Sequence, residues 1–183
     1  MNKILLSLLV ASALFSAECK YEAKSIDVNW EAYKTPLKLG VKGTFNNVHL
    51  EAKVGATAEK LLEGASVVID INRIYSKNAA RDAKLVKFFF GTQNVKSINA
   101  TIVSVKKDVA NVEVTMNGVT KVVPMKIEID EDEIEADGYL DLADFKMLPA
   151  VAGINKACYD LHQGKTWQDV EVKFTIKTQK DCK

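Results

Sequence analysis

The residue types best suited to catalysis or metal binding are concentrated in the sequence Cys-Tyr-Asp-Leu-His, where Cys158, Asp160 and His162 alternate. On an extended segment the three side chains would share one face, and all three types can ligate a metal. A structural zinc site needs a fourth ligand, and no further candidate has a suitable spacing. Cys158 as a nucleophile with His162 as its base has equally little support. We therefore predict no catalytic residues and no metal site, and a thiol or metal enzyme is the weakest of three hypotheses.

Few other residues suggest chemistry. His49 lies in the strand-like sequence Phe-Asn-Asn-Val-His-Leu-Glu-Ala, which indicates a strand or surface residue rather than a ligand. Arg73 and Arg81 are the only arginines. We interpret Arg81 and Asp82 as a local salt bridge that anchors a helix, which would contribute about 0–1 kcal/mol if exposed; the alternative is that the arginine meets a polar head group. Neither a Gly-x-Ser-x-Gly sequence nor a glycine-rich phosphate loop is present.

Composition and charge limit the class of protein. The chain has 183 residues, of which 48% are hydrophobic and 27% are charged, a balance typical of one globular domain. Its formal net charge is +1, and its lysines are spread thinly along the chain. We therefore expect no nucleic-acid partner.

The first 17 residues have the pattern of a secretory signal peptide. Lys3 is followed by apolar and small residues from Ile4 to Ala17, a run too short for a comfortable transmembrane helix. We predict cleavage after Ala17 and a mature domain of residues 18–183. We also predict a location in the periplasm or outside the cell, without stable membrane insertion. Acylation of Cys19 is disfavoured, because Glu18 stands where a lipoprotein normally has a small residue.

Most of the mature chain alternates apolar and polar residues with period two, which is typical of antiparallel strands with one buried face. Asn117-Gly118 predicts a tight hairpin turn, and Gly138 predicts a bulge or bend within a strand. We count eight strands in meander order and predict an all-β fold, an eight-stranded antiparallel barrel whose closure removes exposed edges. An open sandwich is the alternative. The predicted strands are residues 25–33, 36–45, 66–73, 97–105, 109–116, 119–129, 134–145 and 169–178.

Two segments, residues 57–64 and 76–89, have helical spacing and predict one or two short helices at the barrel mouth. Residues 146–166 form an irregular link before the last strand. In a helix, Phe88, Phe89 and Phe90 would cover over half the circumference, more than one buried stripe can accommodate. Either some of these rings plug the interior while others pack on the strands, and the three form part of a ligand's wall or gate, or one ring joins the core and the others cover the outside of the barrel.

The three cysteines, Cys19, Cys158 and Cys182, all lie in the mature chain, and export implies an oxidising compartment. Closing the barrel places the first strand antiparallel beside the last, so Cys19 and Cys182 would meet. We predict a disulfide between them, with Cys158 either free or paired with another chain. An open sandwich gives no reason for this pairing.

The predicted inward faces of the strands carry almost no charge. An eight-stranded barrel is just wide enough inside to be filled by side chains or to hold one small ligand. A long apolar tube would suit an extended hydrocarbon chain, but the residues alone do not distinguish a hollow barrel from a filled one. The predicted ligand-binding residues of the tube and its mouth are Trp30, Phe45, Ile69, Ile71, Phe88, Phe89, Phe90, Ile102, Met116, Met125, Leu140, Val172 and Phe174.

Three segments, in their order and spacing, resemble the YceI-like, lipocalin-like periplasmic proteins. Residues 28–45 are similar to the family's opening pair of strands, which ends in Gly-x-Phe, and residues 116–129 are similar to its hairpin. Residues 66–90 resemble its long strand, loop and helix. The recurring Arg-Asp-x-x-Leu and Phe-Phe residues are here Arg81, Asp82, Leu85, Phe88 and Phe89. The link of residues 147–169 is longer and more polar than usual. The resemblance implies a calyx that binds isoprenoids or other long-chain amphiphiles in the periplasm.

Our first hypothesis is a periplasmic, non-enzymatic binding or carrier protein that sequesters a long-chain apolar lipid in the barrel. The lipid would be an isoprenoid, an isoprenoid quinone or a fatty acid derivative, and no other cofactor is expected. The second hypothesis is an exported interaction or stress protein with a filled barrel that acts through its surface. A homodimer is compatible with both. A hollow barrel favours the first hypothesis, whereas a solid core with an exposed apolar patch favours the second.

Overall fold

A computed structural model describes residues 19–182. Its antiparallel strands form one curled sheet, which confirms the predicted all-β, lipocalin-like barrel. The strands are β1 (Cys19–Lys34), β2 (Leu39–Phe45), β3 (Leu50–Glu51), β4 (Ser66–Asp70), β5 (Ile74–Tyr75), β6 (Ser97–Lys106), β7 (Val109–Met116), β8 (Val119–Ile129), β9 (Glu133–Asp141) and β10 (Thr166–Cys182). The predicted signal peptide and its cleavage site lie outside the described residues.

The described part of the chain has ten strands rather than eight, because two short strands, β3 and β5, follow beyond the ends of the predicted strands 36–45 and 66–73. A turn over residues 46–49 separates β2 from β3, and a 3₁₀ turn at Ile71–Arg73 separates β4 from β5. The sheet order is β3-β4-β6-β7-β8-β9-β10-β1-β2-β5. Phe45 of β2 lies opposite Ile74 of β5, and β3 also pairs with β4. Strands β2 and β3 belong to one chain segment and β4 and β5 to another, and these two segments pair with each other at both ends of the sheet.

The first and last strands form the longest pairing in the sheet. It runs from Cys19 opposite Cys182 to Lys34 opposite Thr166. A disulfide joins Cys19 to Cys182, with an S–S distance of 2.05 Å, which confirms the predicted pairing. Cys158 is free, and only 8% of it is exposed, so a disulfide to another chain would first require this side chain to leave the interior.

The structure confirms the predicted role of Gly118 and contradicts that of Gly138. Asn117 and Gly118 have φ values of 53° and 70°, and they form the predicted tight turn between β7 and β8. The predicted bulge at Gly138 is wrong, because β9 keeps a continuous register with β10 through the pair Gly138–Val172. A register shift occurs instead where Ala32 and Lys34 of β1 pair with β10.

Among the described residues, four short helices cover the sheet: α1 (Ala58–Leu62), α2 (Ala79–Lys84), α3 (Leu148–Ala157) and α4 (Tyr159–His162). The Asn78 side chain caps α2 by accepting a hydrogen bond from the Arg81 N–H at 3.0 Å. After α2 the chain continues as a π-helical turn, Leu85–Phe89, and a 3₁₀ turn, Phe90–Gln93. Both predicted helices are therefore present, but α1 lies toward the disulfide end of the sheet and not at the mouth, since Gly55 just before it pairs with Tyr21 of β1. The link predicted to be irregular contains two more helices. Within residues 19–182, no helix combines the length and apolarity needed to cross a membrane.

Candidate functional site

The barrel interior is packed near the disulfide and hollow toward the opposite end. The hollow part is a cavity of about 450 Å³ with a mostly apolar wall. Leu161 lines this cavity and is 64% exposed, so the cavity reaches the surface there. A void of only about 30 Å³ lies nearer the disulfide, between residues such as Ile26 and Ile176. The barrel is therefore neither wholly filled nor a continuous tube.

Strand β1 connects the two halves through a row of inward-facing residues. Val28 is buried in the core, and Trp30, Ala32 and Lys34 follow at alternate positions along the cavity wall. The row thus changes from apolar to charged as it approaches the mouth. Strand β10 runs antiparallel beside it and contributes Val170 and Val172 to the same wall.

The structure distributes the thirteen residues predicted to line a tube among four environments. The cavity wall holds Trp30, Phe45, Phe89, Phe90, Met116, Leu140 and Val172. Ile102 and Phe174 line the small void. Ile69, Ile71 and Met125 are buried in the packed core, and Phe88 lies outside both cavities. Contact between any of these residues and a lipid stays a prediction.

The three consecutive phenylalanines occupy different places. Phe90 is buried, with 4% of its surface exposed, and Phe89 packs edge to face against it with 4.8 Å between ring centroids. Both rings line the cavity. The Phe88 ring is half-buried, with the Lys87 ammonium 5.0 Å from its centroid. Two rings therefore line the cavity and Phe88 lines neither cavity, and a role of these rings as a ligand's wall or gate stays a prediction.

Sequence reasoning missed the part of the wall that the link before β10 supplies. Val151, Ile154 and Cys158 line the cavity from α3 and its C-terminal cap. Their spacing of three and four residues is that of a helix with one apolar face, and this signal is present in the sequence. Leu161 and His162 of α4 complete this side of the wall.

The sequence Cys-Tyr-Asp-Leu-His is not extended. Cys158, Asp160 and His162 would share one face, as a metal site requires, only on an extended segment. Residues Tyr159–His162 are helical, and Asp160 is exposed and outside the cavity wall. Among residues 19–182, no three His, Cys, Asp or Glu side chains are arranged to hold a metal ion. His49 is exposed beside β3 and also lies away from the cavity.

His162 is held in the cavity wall by polar neighbours. Its Nδ1 lies 2.7 Å from Thr166 Oγ1, and that hydroxyl also donates to Asn155 Oδ1 at 3.0 Å. Partial burial lowers the pKa of His162, and the positive charges of Lys34 and Lys84 lower it further. The imidazole is therefore neutral at neutral pH.

The predicted salt bridge between Arg81 and Asp82 is absent from the ion pairs formed within residues 19–182. Both side chains instead bind Ser76. Arg81 Nε donates to Ser76 Oγ and its Nη2 donates to Ser76 O, both at 2.8 Å. Asp82 accepts from the Ser76 hydroxyl and, at 3.0 Å, from the Ser76 N–H. The buried serine thus ties α2 to the end of β5.

Two aromatic side chains form another side of the mouth. The Tyr33 hydroxyl donates to Glu171 Oε2 at 3.2 Å, and Trp167 Nε1–H donates to Thr35 O at 2.8 Å. Desolvation, followed by the negative charges of Glu31 and Glu171, raises the pKa of Tyr33 to about 12. Tyr33 is therefore neutral throughout the physiological range, and it contributes no charge to the wall.

Gly43 provides the space for Trp30 on the neighbouring strand. The two residues lie opposite each other, and a Cβ at position 43 would be 2.2 Å from Trp30 Cζ2 and 2.8 Å from Tyr75 O. We predict that Gly43→Ala lowers the free energy of unfolding by about 1–3 kcal/mol, because the ring or the backbone must move. Urea unfolding measures the loss.

The control is the same substitution made in the variant Trp30→Leu. Because Trp30→Leu removes the ring, Gly43→Ala should lower the free energy of unfolding less in that variant than in the native chain. Some cost should persist, since Tyr75 O still lies within 2.8 Å of the new Cβ. An unchanged unfolding midpoint for Gly43→Ala alone would contradict the proposed close contact.

Together, the fold and the site define a small lipocalin-like barrel with an apolar cavity at its helix-covered end. The chain belongs to the YceI-like domain family, whose sequence model matches residues 20–178. No curated protein matches the chain at a significant level.

Three solved structures have a similar fold. A polyisoprenoid binding domain from Saccharophagus degradans superposes with a TM-score of 0.61 at 14% identity, covering 90% of this chain and 99% of that one. Burkholderia cenocepacia BcnA has a TM-score of 0.58 at 16% identity, covering 84% and 96%. The Campylobacter jejuni YCEI protein has a TM-score of 0.52 at 18% identity, covering 78% and 85%.

Proposed function

We propose that this protein is an exported, non-enzymatic carrier that holds a long-chain lipid in its cavity, in the periplasm. The observation that carries the proposal is the apolar cavity of about 450 Å³ that reaches the surface at Leu161. A cavity of this size falls within the range of small-molecule sites. Its aliphatic and aromatic wall would exclude water from a hydrocarbon chain, which is the principal source of affinity for such a ligand.

Family membership supports the same function. The chain contains a YceI-like domain, and the structure from Saccharophagus degradans is described as a polyisoprenoid binding domain. An isoprenoid, an isoprenoid quinone or a fatty acid derivative would each present an apolar chain to this cavity. The proposed role is to shield that chain from water while the lipid is outside a membrane.

A series of lipids with one head group and increasing chain length tests this proposal. Each added CH₂ that enters the cavity contributes up to roughly 0.8 kcal/mol, or about fourfold in affinity, before the cost of ordering the chain. Affinity should rise with chain length and stop rising when the cavity is full. The chain's two tryptophans, Trp30 and Trp167, both line the cavity, so their fluorescence can report binding.

The free thiol of Cys158 shows whether the lipid occupies this cavity. Cys158 lines the wall, and the other two cysteines form a disulfide, so a thiol reagent has one target in the folded chain. A bound lipid should slow the reaction of Cys158 in proportion to occupancy. Binding that leaves this rate unchanged would place the lipid on the surface and favour an interaction protein.

A further inference from the structure

The charged residues of the cavity wall all have one sign. Lys34, Arg81 and Lys84 belong to the wall, and no aspartate or glutamate among residues 19–182 does. Most of the remaining wall is apolar, so these three side chains are the principal charges that a molecule in the cavity would meet. Low polarity around a charge strengthens its interaction with an opposite charge. The wall therefore favours a ligand that carries negative charge.

Two of these cations have no acidic partner. Within residues 19–182, neither Lys34 nor Lys84 takes part in an ion pair. Both side chains are only partly exposed. Arg81 differs, because the oxygen atoms of Ser76 already accept two of its hydrogen bonds. Lys34 and Lys84 are thus the cations available to a ligand.

Lys34 and Lys84 act on the same part of the wall. Lys34 lies opposite Thr166 in the sheet, and Thr166 Oγ1 is 2.7 Å from His162 Nδ1. Lys84 comes from α2, yet its charge and that of Lys34 both act on His162 and lower its pKa. Because Lys34, Lys84 and His162 all line one cavity of about 450 Å³, the positive fields of the two ammonium groups overlap inside it.

Three acids near this region are engaged by other groups, whereas the side chain of Asp160 on α4 is exposed to solvent. Glu171 accepts a hydrogen bond from the Tyr33 hydroxyl, and Glu31 forms an ion pair with Lys42 at 3.3 Å. Asp169, beside Trp167, pairs with Lys38 at 2.5 Å. These pairs leave the charges of Lys34 and Lys84 without a counterion inside the cavity.

The position of Lys34 also defines an orientation. Lys34 is the last residue of the inward row Trp30, Ala32 and Lys34. Along this one strand, the wall is therefore apolar first and charged at its end. A lipid with its chain along Trp30 would have its head group beside Lys34. The opposite orientation would bring the head group against the packed half of the barrel.

We propose that the ligand is an acidic lipid, a long apolar chain ending in a carboxylate or phosphate, whose head group pairs with Lys34 and Lys84. This inference rests on the proposed function and adds the chemical class of the ligand. Carboxylates and phosphates share the anionic oxygens that lysine ammonium groups bind.

Three lipids with the same C16 chain, hexadecanol, hexadecanoic acid and hexadecyl phosphate, test the inference at about pH 8, where both acids are ionised. The native protein should bind at least one of the acids about tenfold or more tightly than the alcohol. In the double variant Lys34→Gln/Lys84→Gln, that preference should disappear while affinity for the alcohol is retained. A preference for the phosphate alone would identify a lipid phosphate as the ligand class, and a similar preference for both acids would show that one anionic group suffices.

The control variant is Lys53→Gln/Lys106→Gln, which changes net charge equally at two exposed lysines outside the cavity and should keep the preference. Equal binding of the alcohol and both acids by the native protein would overturn the inference and leave the lipid-carrier function standing. The inference is also overturned if Lys34→Gln/Lys84→Gln, shown to be folded by its thermal unfolding, keeps the preference. If none of the three lipids binds, the carrier function and the inference both fail.

Discussion

Replacing Val172 with aspartate should weaken lipid binding about 100-fold or more. Val172 lies on the cavity wall opposite Gly138 of β9, where a carboxylate would face the apolar chain of the ligand. Burying an unpaired charge against hydrocarbon costs several kcal/mol, and about 2.7 kcal/mol already corresponds to a hundredfold change in affinity. The cavity, of about 450 Å³, is large enough to admit water around the new carboxylate, so the barrel itself should remain folded.

The measurement is lipid affinity by tryptophan fluorescence, with circular dichroism to check the fold. Val122→Asp is a matched control, because Val122 is also a strand valine but is 56% exposed and lies outside the cavity wall. It should bind lipid like the native protein. A folded Val172→Asp variant with native affinity would show that the lipid binds somewhere other than this cavity.

Removing the disulfide should produce the largest loss of stability without a comparable loss of binding. Cys19 and Cys182 are 163 residues apart in sequence, so the bond closes a loop that spans the whole described domain. The chain-entropy relation gives about 5 kcal/mol for such a loop, and removing a native disulfide commonly costs about 2–5 kcal/mol. The bond lies at the first residue of β1, whereas Lys34 lies at the last, so the bond is away from the cavity.

The variant Cys19→Ser/Cys182→Ser, compared with the oxidised native protein by urea unfolding, measures this loss. Cys158→Ser is the control, since it removes a thiol from the cavity wall without opening the loop, and its stability should change much less. Lipid affinity of Cys19→Ser/Cys182→Ser should stay close to native at temperatures where it is folded. Equal stability of the oxidised protein and the double variant would contradict the stabilising role of the bond.

The strand pattern was the most reliable information in the sequence. Period-two alternation identified β7 and β8 at their observed bounds, and Asn117-Gly118 identified the turn between them. The meander order then implied closure, and closure implied the Cys19–Cys182 disulfide. These inferences succeeded because alternation and tight turns depend on residues close together in the chain.

Side-chain spacing was less informative where a strand was interrupted or a helix was short. Residues 66–73 alternate as one strand, yet Ile71–Arg73 form a 3₁₀ turn in which the Asp70 side chain accepts a hydrogen bond from the Asn72 N–H. The same reasoning interpreted residues 146–166 as irregular, although α3 and α4 lie there. Local capping and packing on the barrel, rather than alternation, determine the secondary structure of these segments.

The sequence by itself determined an all-β barrel, the disulfide at its seam and an apolar interior, because strand alternation already separates inward from outward residues. Only the tertiary structure decided how much of that interior is empty. Ile69 and Trp30 both face inward, but Ile69 is packed in the core and Trp30 lines a cavity. The difference depends on which side chains from distant strands and from α2, α3 and α4 fill the space between them. The same assembly brings Lys34 and Lys84, fifty residues apart in the chain, into the wall of one cavity. The spacing of the two lysines in the sequence does not indicate this proximity, because it arises only when the barrel folds.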